Sequence, residues 1–90
     1  MIHTKEQALN AALAILDRLL IKYVETGAPE PKAAFKYQND APVNDVWVVS
    51  YTYMVFQEEE AFIYLDDRDE LKLIYILTKH GYVTYPSPKS

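Results

Sequence analysis

Residues 46–56 read "VWVVSYTYMVF". A run this rich in β-branched and aromatic residues reads as a strand, and a strand sends alternate side chains to opposite faces. One set is Trp47, Val49, Tyr51, Tyr53 and Val55; the other is Val46, Val48, Ser50, Thr52, Met54 and Phe56. Both sets are largely apolar or aromatic. A strand apolar on both faces needs two covers, and a chain of 90 residues ordinarily supplies one.

The first cover precedes the strand. Residues 4–25 read as one amphipathic helix, with Thr4 as cap and Gln7 completing a capping box. Leu9, Leu13, Leu16, Leu20 and Tyr23 recur at helical spacing, widened by Ala12, Ile15 and Leu19. Gly27 is a helix-ending residue, and Pro29 and Pro31 forbid continuation. A connection over 27–45 follows, in which "AAFKYQ" is a candidate edge strand. The rest reads as strands at 46–56, 61–65, 71–77 and 82–85, separated by "QEEE", "DDRDE" and "TKHG", with a mobile tail at 86–90. The fold class expected is α+β: one long N-terminal helix on a four-stranded antiparallel meander, in one domain.

Turns placed at those breaks set a register. Phe56 then opposes Ala61, Met54 opposes Ile63 and Thr52 opposes Leu65; further on, Leu65 opposes Leu71, Ile63 opposes Leu73 and Leu77 opposes Tyr82. The helix-facing side would carry Val48, Met54, Phe56, Ile63, Leu65, Leu71, Leu73 and Leu77. The other side would be aromatic, with Trp47, Tyr51, Tyr53, Phe62, Tyr64, Ile74, Ile76 and Tyr85. A one-residue slip in any turn reverses the assignment of a strand. Soluble monomers rarely expose a large apolar face without a use for it.

Thirteen acidic residues against nine basic ones give a net charge of −4, which disfavours nucleic acid and favours a basic protein partner. Without cysteine there is no disulfide or thiolate metal site, which fits a cytoplasmic protein. "MIHTKEQALN" lacks the pattern of a signal peptide, and no apolar run is long enough to span a membrane. The acidic cluster Asp66, Asp67, Asp69 and Glu70 fails as an EF-hand loop, because counting from Asp67 places Lys72 sixth and Thr78 twelfth; it reads as a solvated turn. His3, His80 and Ser50 sit in no catalytic motif, and two glycines make no phosphate loop. No catalytic residue, metal or cofactor is therefore expected.

The order of elements, with the Trp-led strand "DVWVVSY" at 45–51, resembles small cystatin-like α+β domains over roughly residues 4–85. Bacterial immunity proteins of polymorphic toxin systems include such domains, and PepSY-type modules share the helix-then-sheet order. The 66–70 turn has no glycine, where PepSY-type hairpins often place one. The resemblance implies a non-catalytic binding or inhibitory role. On this reading Trp47, Tyr51, Tyr53 and Tyr64 contact the partner, with Trp47 at the edge of the contact, and Glu58, Glu59, Asp67 and Asp69 steer its approach. A homodimer through the aromatic face is the second expectation. A ligand carrier or enzyme with a pocket between helix and sheet is the third.

Overall fold

The computed structural model describes residues 2–36, 44–68 and 70–83. One helix, α1 (Lys5–Arg18), lies on one face of an antiparallel sheet. The strands are β1 (Glu25–Thr26), β2 (Glu30–Phe35), β3 (Asn44–Met54), β4 (Glu58–Asp66), β5 (Leu73–Thr78) and β6 (Gly81–Val83). The order is β1-β3-β4-β5-β6, with β2 also on β3. Glu25 opposes Thr52 and Glu30 opposes Val48, so β1 and β2 occupy successive lengths of one edge of β3. The α+β architecture is as expected, with five rows of strand rather than four.

The start of α1 follows its sequence. Thr4 Oγ1 accepts from the Gln7 amide at 3.2 Å, and Gln7 Oε1 accepts from the Thr4 amide at 2.9 Å. The end does not. The helix stops at Arg18, seven residues short of the expected 25 (25 − 18), in a Schellman closure. Ile21 N–H donates to Leu16 O at 2.9 Å and Leu20 N–H to Asp17 O at 3.1 Å. This closure puts Leu20 at a φ of 58°, a conformation that ordinarily falls to glycine. Leu20 and Tyr23, expected on the apolar stripe, are exposed.

Gly27 lets the edge lie close to β3. Its N–H donates to Ser50 O at 2.9 Å, and a Cβ at this position would clash with Ser50 Oγ. Pro31 lies within β2, opposite Trp47, and Pro29 just precedes the strand. Prolines contribute no N–H and are confined to edges such as this one.

The hairpin register corrects the expected faces. Met54 opposes Glu58, Tyr51 opposes Ala61, Val49 opposes Ile63 and Trp47 opposes Leu65. Met54 thus meets a residue five positions earlier than Ile63, and an odd displacement turns β3 over relative to β4. Trp47, Val49 and Tyr51 join Ala61, Ile63 and Leu65 beneath α1, packed on Ala8, Ala12, Ile15 and Leu16. Val48, Met54 and Phe56, expected there, are not in that cluster. A bulge at Ile74 makes the second correction. Leu65 opposes Leu73 rather than Leu71, and Ile63 opposes Ile76 rather than Leu73. Ile76 therefore enters the core and Leu77 faces away, opposite Phe62. Ile63, Leu65, Leu71 and Leu73 lie on the helix side as expected, and Leu77 opposes Tyr82 as expected. Tyr85 and the tail lie outside the described residues.

Candidate functional site

The sites expected from sequence separate into four places. Trp47 is 4 % exposed and Tyr51 is buried beside it, so both belong to the core and neither is surface. Their burial follows directly from the turned-over strand. Tyr53 is on the same side, half-buried, its ring 6.0 Å from that of Tyr51. Its hydroxyl donates to Glu59 Oε1 at 3.0 Å, and Lys79 Nζ lies 2.9 Å from Glu59 Oε2. The Lys79 ammonium is the main reason the Glu59 carboxyl sits below its ordinary pKa. Burial, then the carboxylate acceptor, pushes the Tyr53 phenol up. This ion pair ties β4 to the β5–β6 turn. Tyr64 is on the opposite face, between the rings of Phe35 at 5.2 Å and Tyr75 at 4.8 Å.

Asp67, expected in a solvated turn, is 2 % exposed. Burial alone would raise its pKa. Donors from the Ile2 amide, the His3 amide and the Trp47 indole, with the His3 ring, outweigh it and hold the carboxyl below the ordinary aspartate value. Trp47 Nε1 donates to Oδ1 at 2.9 Å and His3 N–H to Oδ1 at 3.1 Å, while Ile2 N–H donates to Oδ2. His3 Nδ1 stands 3.0 Å from the Asp67 carbonyl, which can only accept, so this nitrogen carries a proton. Asp67 is a clamp joining the segment before α1 to β3 and the β4–β5 turn. Asp69 lies outside the described residues.

Among the described residues of the expected acidic set, Glu58 alone is both exposed and close to exposed apolar surface. The β3–β4 turn is made by Val55, Phe56 and Gln57, with Val55 N–H donating to Gln57 O at 3.2 Å. Phe56 is 100 % exposed, Met54 66 % and Val55 also exposed. The connection from α1 ends beside them, since Val24 N–H donates to Thr52 O at 2.7 Å. Leu20, Tyr23 and Val24 in that connection are exposed as well. The hairpin end thus displays Met54, Val55 and Phe56 with Val24 beside β3, and Leu20 and Tyr23 precede Val24 along the connection. Glu25, Glu58 and Glu60 are exposed around them, and Lys22 lies on the connection.

Tight hairpin turns ordinarily use Gly, Asn or Asp to reach the needed backbone angles and to meet water. Val55 and Phe56 offer neither advantage. Folding gains nothing from Phe56, since it leaves no surface buried. A turn placed at "QEEE" hides the apolar tip, because Glu58, Glu59 and Glu60 are strand residues. The absence of turn-forming residues at 55–57 was the signal available.

Among the described residues, no group of three His, Cys, Asp or Glu side chains is placed to hold a metal, and no helix is long and apolar enough to cross a membrane. Comparison with family models, with curated proteins and with solved structures found no match to this chain.

Proposed function

We propose that this chain is a small non-catalytic binding domain, of the immunity or inhibitor kind, that docks the apolar end of its long hairpin on a basic protein. The observation that supports this most is Phe56, wholly exposed at the tip of the hairpin between Val55 and Gln57. A large apolar ring held in water is costly for solubility and idle for folding, and contiguous apolar surface of this kind marks interaction sites. Aromatic anchors that fill a pocket supply much of an interface's energy. Glu25, Glu58 and Glu60 surround the tip, and the whole chain is acidic. Their field attracts a cationic rim on the partner and repels the anionic headgroups of a membrane surface.

The tip is well suited to a clean test. Met54, Val55 and Phe56 bury little, so changing them should leave folding intact. Phe56→Asp should hold the thermal midpoint within about 2 °C of wild type, as surface changes of up to about 0.5 kcal/mol do in a domain this size. It should abolish capture of the partner from the native host. Glu58→Lys with Glu60→Lys should slow association and flatten its salt dependence. Equal capture by wild type and Phe56→Asp would remove the basis of the proposal.

A further inference from the structure

The hairpin end has two faces, and they differ in charge. On the side of α1 the carboxylate is already paired: Glu59 accepts from the Tyr53 hydroxyl at 3.0 Å and stands 2.9 Å from the Lys79 ammonium. On the other side, the register sets Glu25 of β1 and Glu60 of β4 directly across from Thr52 of β3, one on each flank. Glu58 stands one row nearer the tip, across from Met54. Among the described residues, no lysine or arginine pairs with Glu25, Glu58 or Glu60. This end of the face is open, since all three glutamates are exposed and Met54 is 66 % exposed.

Between the two flanking carboxylates lies a polar group without a partner. Thr52 is half-buried, but its hydroxyl oxygen is shut off from solvent and has no hydrogen-bond partner among the described residues. A buried hydroxyl left unpaired opposes folding, and valine would fill the same space without that cost. Its cross-strand neighbours, Glu25 and Glu60, are exposed side chains that can turn to admit a ligand. The row behind Thr52 is low, because Gly27 lies beside Ser50 and brings no side chain.

Resting on the hairpin-end reading, we propose that Glu25, Thr52 and Glu60 seat an arginine side chain of the basic partner. The spacing selects the guanidinium. Glu25 and Glu60 are two strand separations apart, about 10 Å between backbones. A planar guanidinium presents donors on opposite edges, so it can bond a carboxylate on each flank and keep an N–H for the Thr52 oxygen between them. A lysine ammonium is a compact point charge with three donors and spans the pair less well. The arginine stem lies over the low row of Gly27 and Ser50. Phe56 enters the partner while the partner's arginine returns to the sheet, so the hairpin end is gripped on the side away from α1.

The probe is N-acetyl-argininamide, titrated into the isotope-labelled whole chain at constant ionic strength and followed by NMR. The expected result is saturable shifts at the amides of Glu25, Thr52 and Glu60, with a dissociation constant on the order of a few millimolar for so small a ligand. N-acetyl-citrullinamide, of the same shape without the charge, should not bind, and N-acetyl-lysinamide should bind about threefold more weakly. Glu25→Gln and Glu60→Gln should each weaken the arginine probe about fivefold. Glu6→Gln, the same charge change in the first turn of α1, should leave it unaltered. Thr52→Val should weaken the probe about threefold and raise the urea midpoint, a loss and a gain that a merely structural threonine would not combine. Shifts that never saturate, that citrullinamide reproduces or that survive loss of either glutamate overturn the proposal. So does full affinity in Thr52→Val, or equal binding of lysinamide. Phe56→Ser should leave the probe's affinity unchanged while abolishing capture of the host partner, so failure of the seat and failure of the hairpin-end reading are told apart.

Discussion

Asp67→Ala is expected to cost about 3 kcal/mol of stability, and the figure can be worked from the donors it strands. The Trp47 indole N–H is buried and has no water to turn to, so losing its acceptor costs roughly 1–3 kcal/mol. The Ile2 and His3 amides are only partly buried and recover water in part, which adds roughly 0.5–1 kcal/mol each. Relief of the carboxylate's desolvation offsets some of this sum. Asp67→Asn should fare little better. Its oxygen can serve the indole or the Ile2 amide, but its NH₂ then meets a donor with a donor. A loss near 3 kcal/mol lowers the thermal midpoint by roughly 15 °C in a domain of this size.

The pH dependence of the same change has a definite sign. Asp67 titrates below its unfolded value of about 3.9. Between those two values the unfolded chain holds more protons, so stability rises with pH there. Asp67's contribution is fully present above the unfolded value and disappears as pH falls through the lower folded one. The difference between wild type and Asp67→Ala should therefore be constant from pH 7 to 5 and shrink toward pH 2. Trp47 is the sole tryptophan and is buried, so its emission reports unfolding directly in urea melts. A loss below about 1 kcal/mol at pH 7, the worth of one ordinary hydrogen bond, would refute the clamp. So would a difference that grows on acidification.

Three further outcomes are expected. Leu20→Gly should stabilise the chain by about 1 kcal/mol, because Leu20 is exposed and held at a φ of 58°, and a urea melt reads the gain. Gly27→Ala should destabilise by roughly 1 kcal/mol through crowding of Ser50 Oγ, and Ser50→Ala in the same chain should recover most of the loss; independent effects would exclude that contact. Lys79→Met should raise the Glu59 carboxyl pKa, followed by NMR titration, since the ammonium is the main influence lowering it.

The start of α1, the order of elements and the β5–β6 register were legible because each rests on a local signal. Thr4 and Gln7 lie three residues apart, and Thr78 to Gly81 close a short turn. The helix end was not, since Leu20 adopts a glycine's conformation while continuing the apolar stripe through Tyr23. Register failed where the chain breaks local rules. Val55 and Phe56 form a turn without turn residues, and three glutamates extend a strand that their charge made look like a loop. With the tip misplaced, Trp47 and Tyr51 went to the wrong face together. The bulge at Ile74 has no marker such as glycine, so Ile76 and Leu77 exchanged roles for a similar reason. Of the expected contact residues only Glu58 lies, exposed, at the hairpin end; a turn placed at 57–60 assigns Met54 and Phe56 to the helix-facing side, so the exposed tip is not legible from that reading.

The prolines of the outer edge carry a consequence for the crowded or concentrated protein. A bare strand edge can template the addition of another strand, and repetition of that step builds a fibril. Along β2 an incoming strand finds no donor at Pro29 or Pro31, and the break at Gly27 and Ala28 leaves β1 only two residues long. Strand-by-strand growth is blunted on this side even though half of the chain's residues are hydrophobic. Replacing Pro31 with valine would return an outward-facing N–H to the middle of β2 and leave this edge more open to an incoming strand.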